Sequence, residues 1–180
     1  MGDLPAVGAE FPANHPSGAP ARTLEVSLAV AVVVLDQLAK ALVRREIPLH
    51  ASVTVIPGLM DLTHVRNTGA AFGVLNAVDF PFKTVAIAVV AAAALIGVGF
   101  YAAGLARHRL VARTGLALVI GGAAGNLLDR VAVGSVVDFV DVYWHTYHFW
   151  AFNIADSAIS IGVVVLMIDM FATPSDVSLA

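Results

Sequence analysis

The chain contains no cysteine. Disulfides, a thiol nucleophile and a lipid-acceptor thiol are thereby excluded. Charge is scarce as well, at 13% Asp, Glu, Lys and Arg, where a soluble domain carries about a quarter. Nor is there a basic excess: the formal net charge is −3, so nucleic acid is not an expected partner. Residues 1–22 carry no basic leader region, and the first apolar segment contains Asp36 and Lys40. A cleaved secretory leader is therefore not expected. There is no His-Glu-x-x-His pattern, no Ser/His/Lys arrangement within the apolar segments, and no internal repeat.

What the chain has in abundance is apolar sequence. Its 180 residues are 59% hydrophobic, with a mean hydropathy of +0.86. Four stretches stand out, at Leu24–Val43, Thr84–Leu105, Ala112–Leu128 and Ile154–Ala172. A bilayer span needs about 20 predominantly apolar residues. The expected fold is an all-α integral membrane protein of four transmembrane helices. Residues 1–21, rich in Pro, Gly and Ala, read as a flexible tail. The membrane domain is placed at 22–173 and a short tail at 174–180.

Between spans one and two, Val53, Val55, Leu62 and Val65 alternate with polar residues around Pro57-Gly58. Pro presets the first turn residue and Gly accepts the positive φ of the second, which suits a type II turn. A small β-hairpin or cradle on the membrane surface is the reading. The link between spans two and three holds Arg107, His108, Arg109 and Arg113, which favours a cytoplasmic placement. Gly121 and Gly125, four apart in span three, permit close helix packing.

Polar groups gather at one end of the bundle. If successive spans alternate in direction, Asp36 and Lys40 share a membrane face with Asn126, Asp129 and Arg130, with Asn153 and Asp156, and with the connection carrying Asp138 and Asp141. Ionisable groups at membrane depth are costly and usually functional. Two carboxylates held close in a dry site cannot both ionise, so one becomes an acid beside a base. Spacing alone does not select the pair. Asp36 and Lys40, at i and i+4, suit a helical ion pair; Asp129 beside Arg130 suits a structural role, Asp141 a solvated one, and Asp169 stands isolated at the opposite end. His145-x-x-His148 lies among Tyr143, Trp144, Tyr147, Phe149 and Trp150, more like an interfacial aromatic belt than a zinc site, which needs three protein ligands. A transporter or proton channel is the competing class, but the polar groups do not continue through to the other face.

The series Asp36-Gln37-x-x-Lys40, Arg66-Asn67-Thr68-Gly69-Ala70-Ala71-Phe72-Gly73, Gly121-Gly122-Ala123-Ala124-Gly125-Asn126-Leu127-Leu128-Asp129-Arg130, Val136-Val137-Asp138-Phe139 and Phe152-Asn153-Ile154-Ala155-Asp156 resembles the lipoprotein signal peptidase (signal peptidase II) family. These five blocks occur in the family's order across residues 24–172; Ala39 departs from it, standing where a small hydroxyl residue is frequent. The resemblance implies a multi-pass aspartic endopeptidase of the bacterial inner membrane, with its active site near the extracytoplasmic face and both termini cytoplasmic. Such enzymes remove signal peptides from diacylglyceryl-modified prolipoproteins, cleaving before the lipidated cysteine. It also implies Asp138 and Asp156 as the catalytic pair, supported by Asp36, Lys40, Asn67, Gly69, Asn126, Asp129, Arg130 and Asn153. No cofactor or metal is expected; the partners are the lipidated substrate and membrane lipids, and the chain is expected to act as a monomer.

Overall fold

The structure, a computed structural model, describes residues 19–69 and 82–172. The two expected tails, apart from a first helix that starts at Ala19, lie outside those residues, as does Ala70–Gly73 of the second motif.

Among the described residues, four helices are long and apolar enough to cross a membrane. They are α1 (Ala19–Glu46), α2 (Lys83–Gly104), α3 (Leu110–Val133) and α4 (Ile154–Ala172). Spans one and three, read from hydropathy alone, come out short because polar residues interrupt or end their apolar runs. In the folded chain those residues face inward and stay helical. Asp36 and Lys40 of α1 have no exposed surface, and Asn126 and Asp129 of α3 are buried. The hydrophobic signal fades there while the helix continues.

Helix α3 packs against the other three helices, most extensively α4 and α1. Its glycines explain how closely. A Cβ on Gly122 would overlap the Ala155 carbonyl oxygen and come within 2.8 Å of Ile159. Only a residue without one lets the start of α4 settle against α3. At its end, Gly134 takes φ 75° and its N–H donates to the Arg130 carbonyl. This left-handed C-terminal glycine turns the chain out of the helix and into a strand.

That strand enlarges the expected hairpin. β1 (Ser52–Ile56) and β2 (Met60–Asn67) form it, with Gly58 at φ 78° after Pro57. β2 then pairs antiparallel with β3 (Val136–Trp144), and β3 with the two-residue β4 (Tyr147–His148), giving one sheet in the order β1-β2-β3-β4. The β1 side chains are exposed, so the sheet is held by β2 and β3. Val137 and Phe139 pack with Val43 and Ile47 from the end of α1. His64 adds a polar tie, its Nδ1 2.8 Å from the Ile47 carbonyl oxygen. The sheet therefore sits on the bundle end where α1 and α3 finish and α4 begins.

The opposite end is closed by ion pairs. Arg113 of α3 meets both oxygens of Glu25 in α1 and donates to the Leu105 carbonyl past α2. Arg109 pairs with Asp169 of α4. Asp169 is thus not isolated, contrary to its sequence reading. Arg113 is buried inside a helix and is no part of a free basic loop.

Candidate active site

Three elements end around Asn153, which has no exposed surface. It is the residue before α4, and its Oδ1 accepts the Asp156 N–H at 2.9 Å. Asp156 reciprocates, its Oδ2 accepting the Asn153 N–H at 3.3 Å. This is a capping box, in which residues three apart satisfy each other's free amides. A further free amide of α4, that of Ala155, donates to Asp36 Oδ1 at 3.0 Å. Local helix chemistry thereby fixes the backbone that carries Asp156.

Asn153 also reaches the sheet. Its Nδ2 donates to Asp138 Oδ1 at 2.7 Å. The other Asp138 oxygen accepts from Asn67 Nδ2 at 3.0 Å. Asn67 ends β2, and its own Oδ1 accepts the Gly69 N–H at 2.9 Å. One asparagine thus touches both carboxylates, Asp138 through its amide and Asp156 through its cap. Burial pushes the Asp138 carboxyl up to about 6, the negative charge of Asp156 adds to the rise, and the hydrogen bonds from Asn67 and Asn153 oppose it.

Behind the carboxylates lies a charged network. Lys40 is 2.7 Å from Asp36, 2.9 Å from Asp129, and donates to Asn126 Oδ1 at 2.8 Å. An asparagine amide has one accepting and one donating end. With Lys40 on its oxygen, Asn126 must turn its Nδ2 outward, where it donates to Asp156 Oδ1 at 2.8 Å. Arg130 donates to the Asn126 and Gly69 carbonyls, tying α3 to the end of β2.

All ten residues singled out from the sequence therefore fall in one connected region. Asp36 and Lys40 form the expected helical pair. Asp129 pairs with Lys40 and stands 3.6 Å from Arg44, whereas its neighbour Arg130 turns to backbone carbonyls. Asp141 is separate and is not simply solvated: it pairs with His148 at 2.9 Å. Gln37 belongs to the first motif block but was assigned no role from the sequence; its Nε2 donates to Asp36, Asp129 and the Gly125 carbonyl. Its place in that block is the signal that marks it. Among the described residues, no group of three His, Asp or Glu is arranged to hold a metal ion.

A cleft of about 650 Å³ opens beside the carboxylates, lined by Asp138, Asp156, Asn126 and Arg130 at its polar end. The rest of its wall is mostly apolar, including Leu95 and Val98 of α2 and Ile159 of α4. Phe149, Trp150 and Phe152 stand on the segment before α4 and line it too.

The family model described as signal peptidase (SPase) II matches residues 28–172. The chain is 46% identical over 151 residues to the lipoprotein signal peptidase of Geobacter metallireducens, covering 83% of this chain and 90% of that one. It is 46% identical to that of Geobacter sulfurreducens over 138 residues, 77% of this chain and 85% of the relative. A bacterial membrane enzyme solved at 2.3 Å by the in meso method superposes with a TM-score of 0.76 at 32% identity, covering 88% of this chain and 93% of that one. A second, at 1.9 Å, gives 0.74 at 30% identity, with 84% and 95% covered.

Proposed function

This chain belongs to the signal peptidase II family, and from that membership we propose that it is an aspartic endopeptidase whose catalytic pair is Asp138 and Asp156. It is a peptidase of a bacterial membrane, crossing the bilayer with four helices. Its substrates are prolipoproteins, from which it removes the signal peptide. The finer reading is that cleavage falls just before a diacylglyceryl-modified cysteine.

The observation that carries the aspartic mechanism is the placing of two buried or half-buried carboxylates against one asparagine, at the polar end of an apolar cleft. Neighbouring carboxylates in a dry site share a proton. The ionised member takes a proton from water as it attacks the scissile carbonyl. The protonated member gives its proton to the carbonyl oxygen. As the C–N bond then breaks, the member that took the water's proton gives it to the leaving nitrogen, and the other recovers its proton from the gem-diol hydroxyl. Asn67, Asn126 and Asn153 donate to the carboxylates and hold them in place. The apolar cleft suits a lipid-borne substrate: acyl chains and an apolar signal segment lie against α2 and α4 while the peptide bond meets the pair. Water and ionised groups are poorly tolerated at the bilayer centre, so the site belongs at a membrane surface. We place it near the extracytoplasmic face, with both termini cytoplasmic and the enzyme acting as a monomer.

The test is cleavage of a lipidated prolipoprotein peptide by purified variants. Asp138→Asn and Asp156→Asn should each lower kcat by at least about a thousandfold, since each removes half of a shared acid–base pair. Asp141→Asn should retain wild-type kcat. An active Asp138→Asn beside a dead Asp141→Asn would refute the assignment.

A further inference from the structure

The segment between β3 and α4 carries one residue more than its pairing uses. The Phe149 N–H donates to the Val142 carbonyl at 2.8 Å, and the Phe152 N–H to the Val140 carbonyl at 3.0 Å. Two steps along β3 thus face three along the returning chain. An extra residue on one strand bows it outward and re-aims its side chains. The bowed residues are Trp150 and Ala151, and both line the cleft with Phe149 and Phe152. The two phenylalanine rings meet edge to face, with centroids 6.2 Å apart.

The bow has little ladder to hold it, since the strand before it is only two residues long. Side chains supply the rest. His148 stacks on its cross-strand partner Tyr143, with ring centroids 5.0 Å apart and planes at 22°. Its Nδ1 lies 2.9 Å from Asp141 Oδ2. Asp141 and Tyr143, two apart on β3, share a face of the sheet. The far edge is tied as well: the Tyr143 hydroxyl donates to Asp61 on β2 and accepts the Gly58 N–H. His148 immediately precedes Phe149, so its anchoring sets where the bow begins.

We propose that Asp141 and His148 are positioning residues of the peptidase. They latch the Phe149–Phe152 segment in place as an aromatic wall of the cleft, and that wall determines how tightly a lipidated substrate is held. The proposal rests on the cleft being the substrate site. Neither residue contacts the catalytic pair, so the latch acts on binding and leaves the chemical step alone.

The experiment pairs kinetics with fluorescence. The chain has two tryptophans, so a Trp144→Phe background leaves Trp150 as the sole reporter on the bow. With a lipidated prolipoprotein peptide, His148→Ala and Asp141→Ala should raise KM about fivefold with kcat within about twofold, the scale of an exposed charge pair plus a stacked ring. His148→Asn, whose amide nitrogen stands near the position of ring Nδ1, should recover most of the lost KM. In substrate-free protein, His148→Ala should lower the Trp150 anisotropy, and His148→Asn should restore it. Unchanged KM and unchanged anisotropy in His148→Ala, with Asp138→Asn inactive, would overturn the latch and leave the catalytic assignment standing. A fall in kcat at unchanged KM would overturn it too. If Asp138→Asn cleaved normally, the catalytic assignment would fail, and the substrate-free anisotropy would still decide the latch.

Discussion

Asp138 shows how a single residue reports on its surroundings. A carboxyl whose pKa in the folded protein lies above its unfolded value destabilises the fold when it ionises. With the folded value at about 6, that cost is fully present above pH 6 and is relieved as the pH falls through 6 toward 4. The displacement from 3.8 corresponds to about 3 kcal/mol at most. Asp138→Asn should therefore melt no lower than wild type at pH 8, and that relative advantage should shrink by pH 5. Thermal melts of both proteins in detergent at the two pH values provide the measurement; a wild type that gains nothing on acidification relative to the variant would contradict it. Lys40 lies at the other extreme, a buried cation between Asp36 and Asp129. Lys40→Met leaves two buried carboxylates without their main counter-charge, which costs about 3–5 kcal/mol. It also frees the Asn126 amide to rotate, so kcat should fall in whatever protein remains folded. Melting temperature and kcat, measured together on membrane-reconstituted variant, test both consequences.

At the scale of elements, the start of α4 does two jobs through Asn153, one as a helix cap and one as a donor to Asp138. The two can be separated. Asn153→Ala loses both, with about 1 kcal/mol from the cap alone. Asn153→Asp keeps an accepting oxygen for the Asp156 N–H but turns the donor toward Asp138 into a second negative oxygen. Its loss of stability should be the smaller at pH 5, where that repulsion is relieved, yet kcat should be as low as in Asn153→Ala. Equal activity in Asn153→Asp and wild type would show that the cap alone matters. The helices themselves were readable in advance because four apolar runs have no other way to be buried. The sheet was half readable. Its first hairpin carries an alternating pattern around Pro57-Gly58, whereas β3 presents Val136, Val137, Asp138 and Phe139 all buried in succession. A strand covered on both faces loses its alternation, and its partner β2 lies far away in sequence.

For the whole molecule, the polar and ion-paired ends are distinct. One end holds the carboxylates and the sheet; the other is closed by the Glu25–Arg113 and Arg109–Asp169 pairs. Because Arg109 and Arg113 are paired, fewer free positive charges remain at that end to orient the chain than the sequence suggested. Orientation therefore calls for direct measurement. Single cysteines at Thr54 on exposed β1 and at His108 in the α2–α3 link are both accessible positions in a chain with no other thiol. An impermeant thiol reagent on intact cells should label Thr54→Cys and spare His108→Cys. The reverse pattern would put the site on the cytoplasmic face.

The sequence by itself determined that this chain crosses a membrane four times and that its costly polar residues collect at one end. Both follow from counting, since transfer of side chains to lipid is nearly additive and successive spans alternate in direction. That the candidate site residues share one face was legible for the same reason, whereas the choice of Asp138 and Asp156 among the carboxylates came only from the family resemblance. Tertiary structure decided what local patterns do not encode. It placed Asp138 on a strand against Asn67 and Asn153, used Gln37 and Lys40 to orient neighbours, and paired Asp141 with His148 and Asp169 with Arg109. Each of these depends on which distant side chain fills the remaining hydrogen-bond position of a buried group. That choice is made by packing in three dimensions, where a few ångströms separate a partner from an unsatisfied charge.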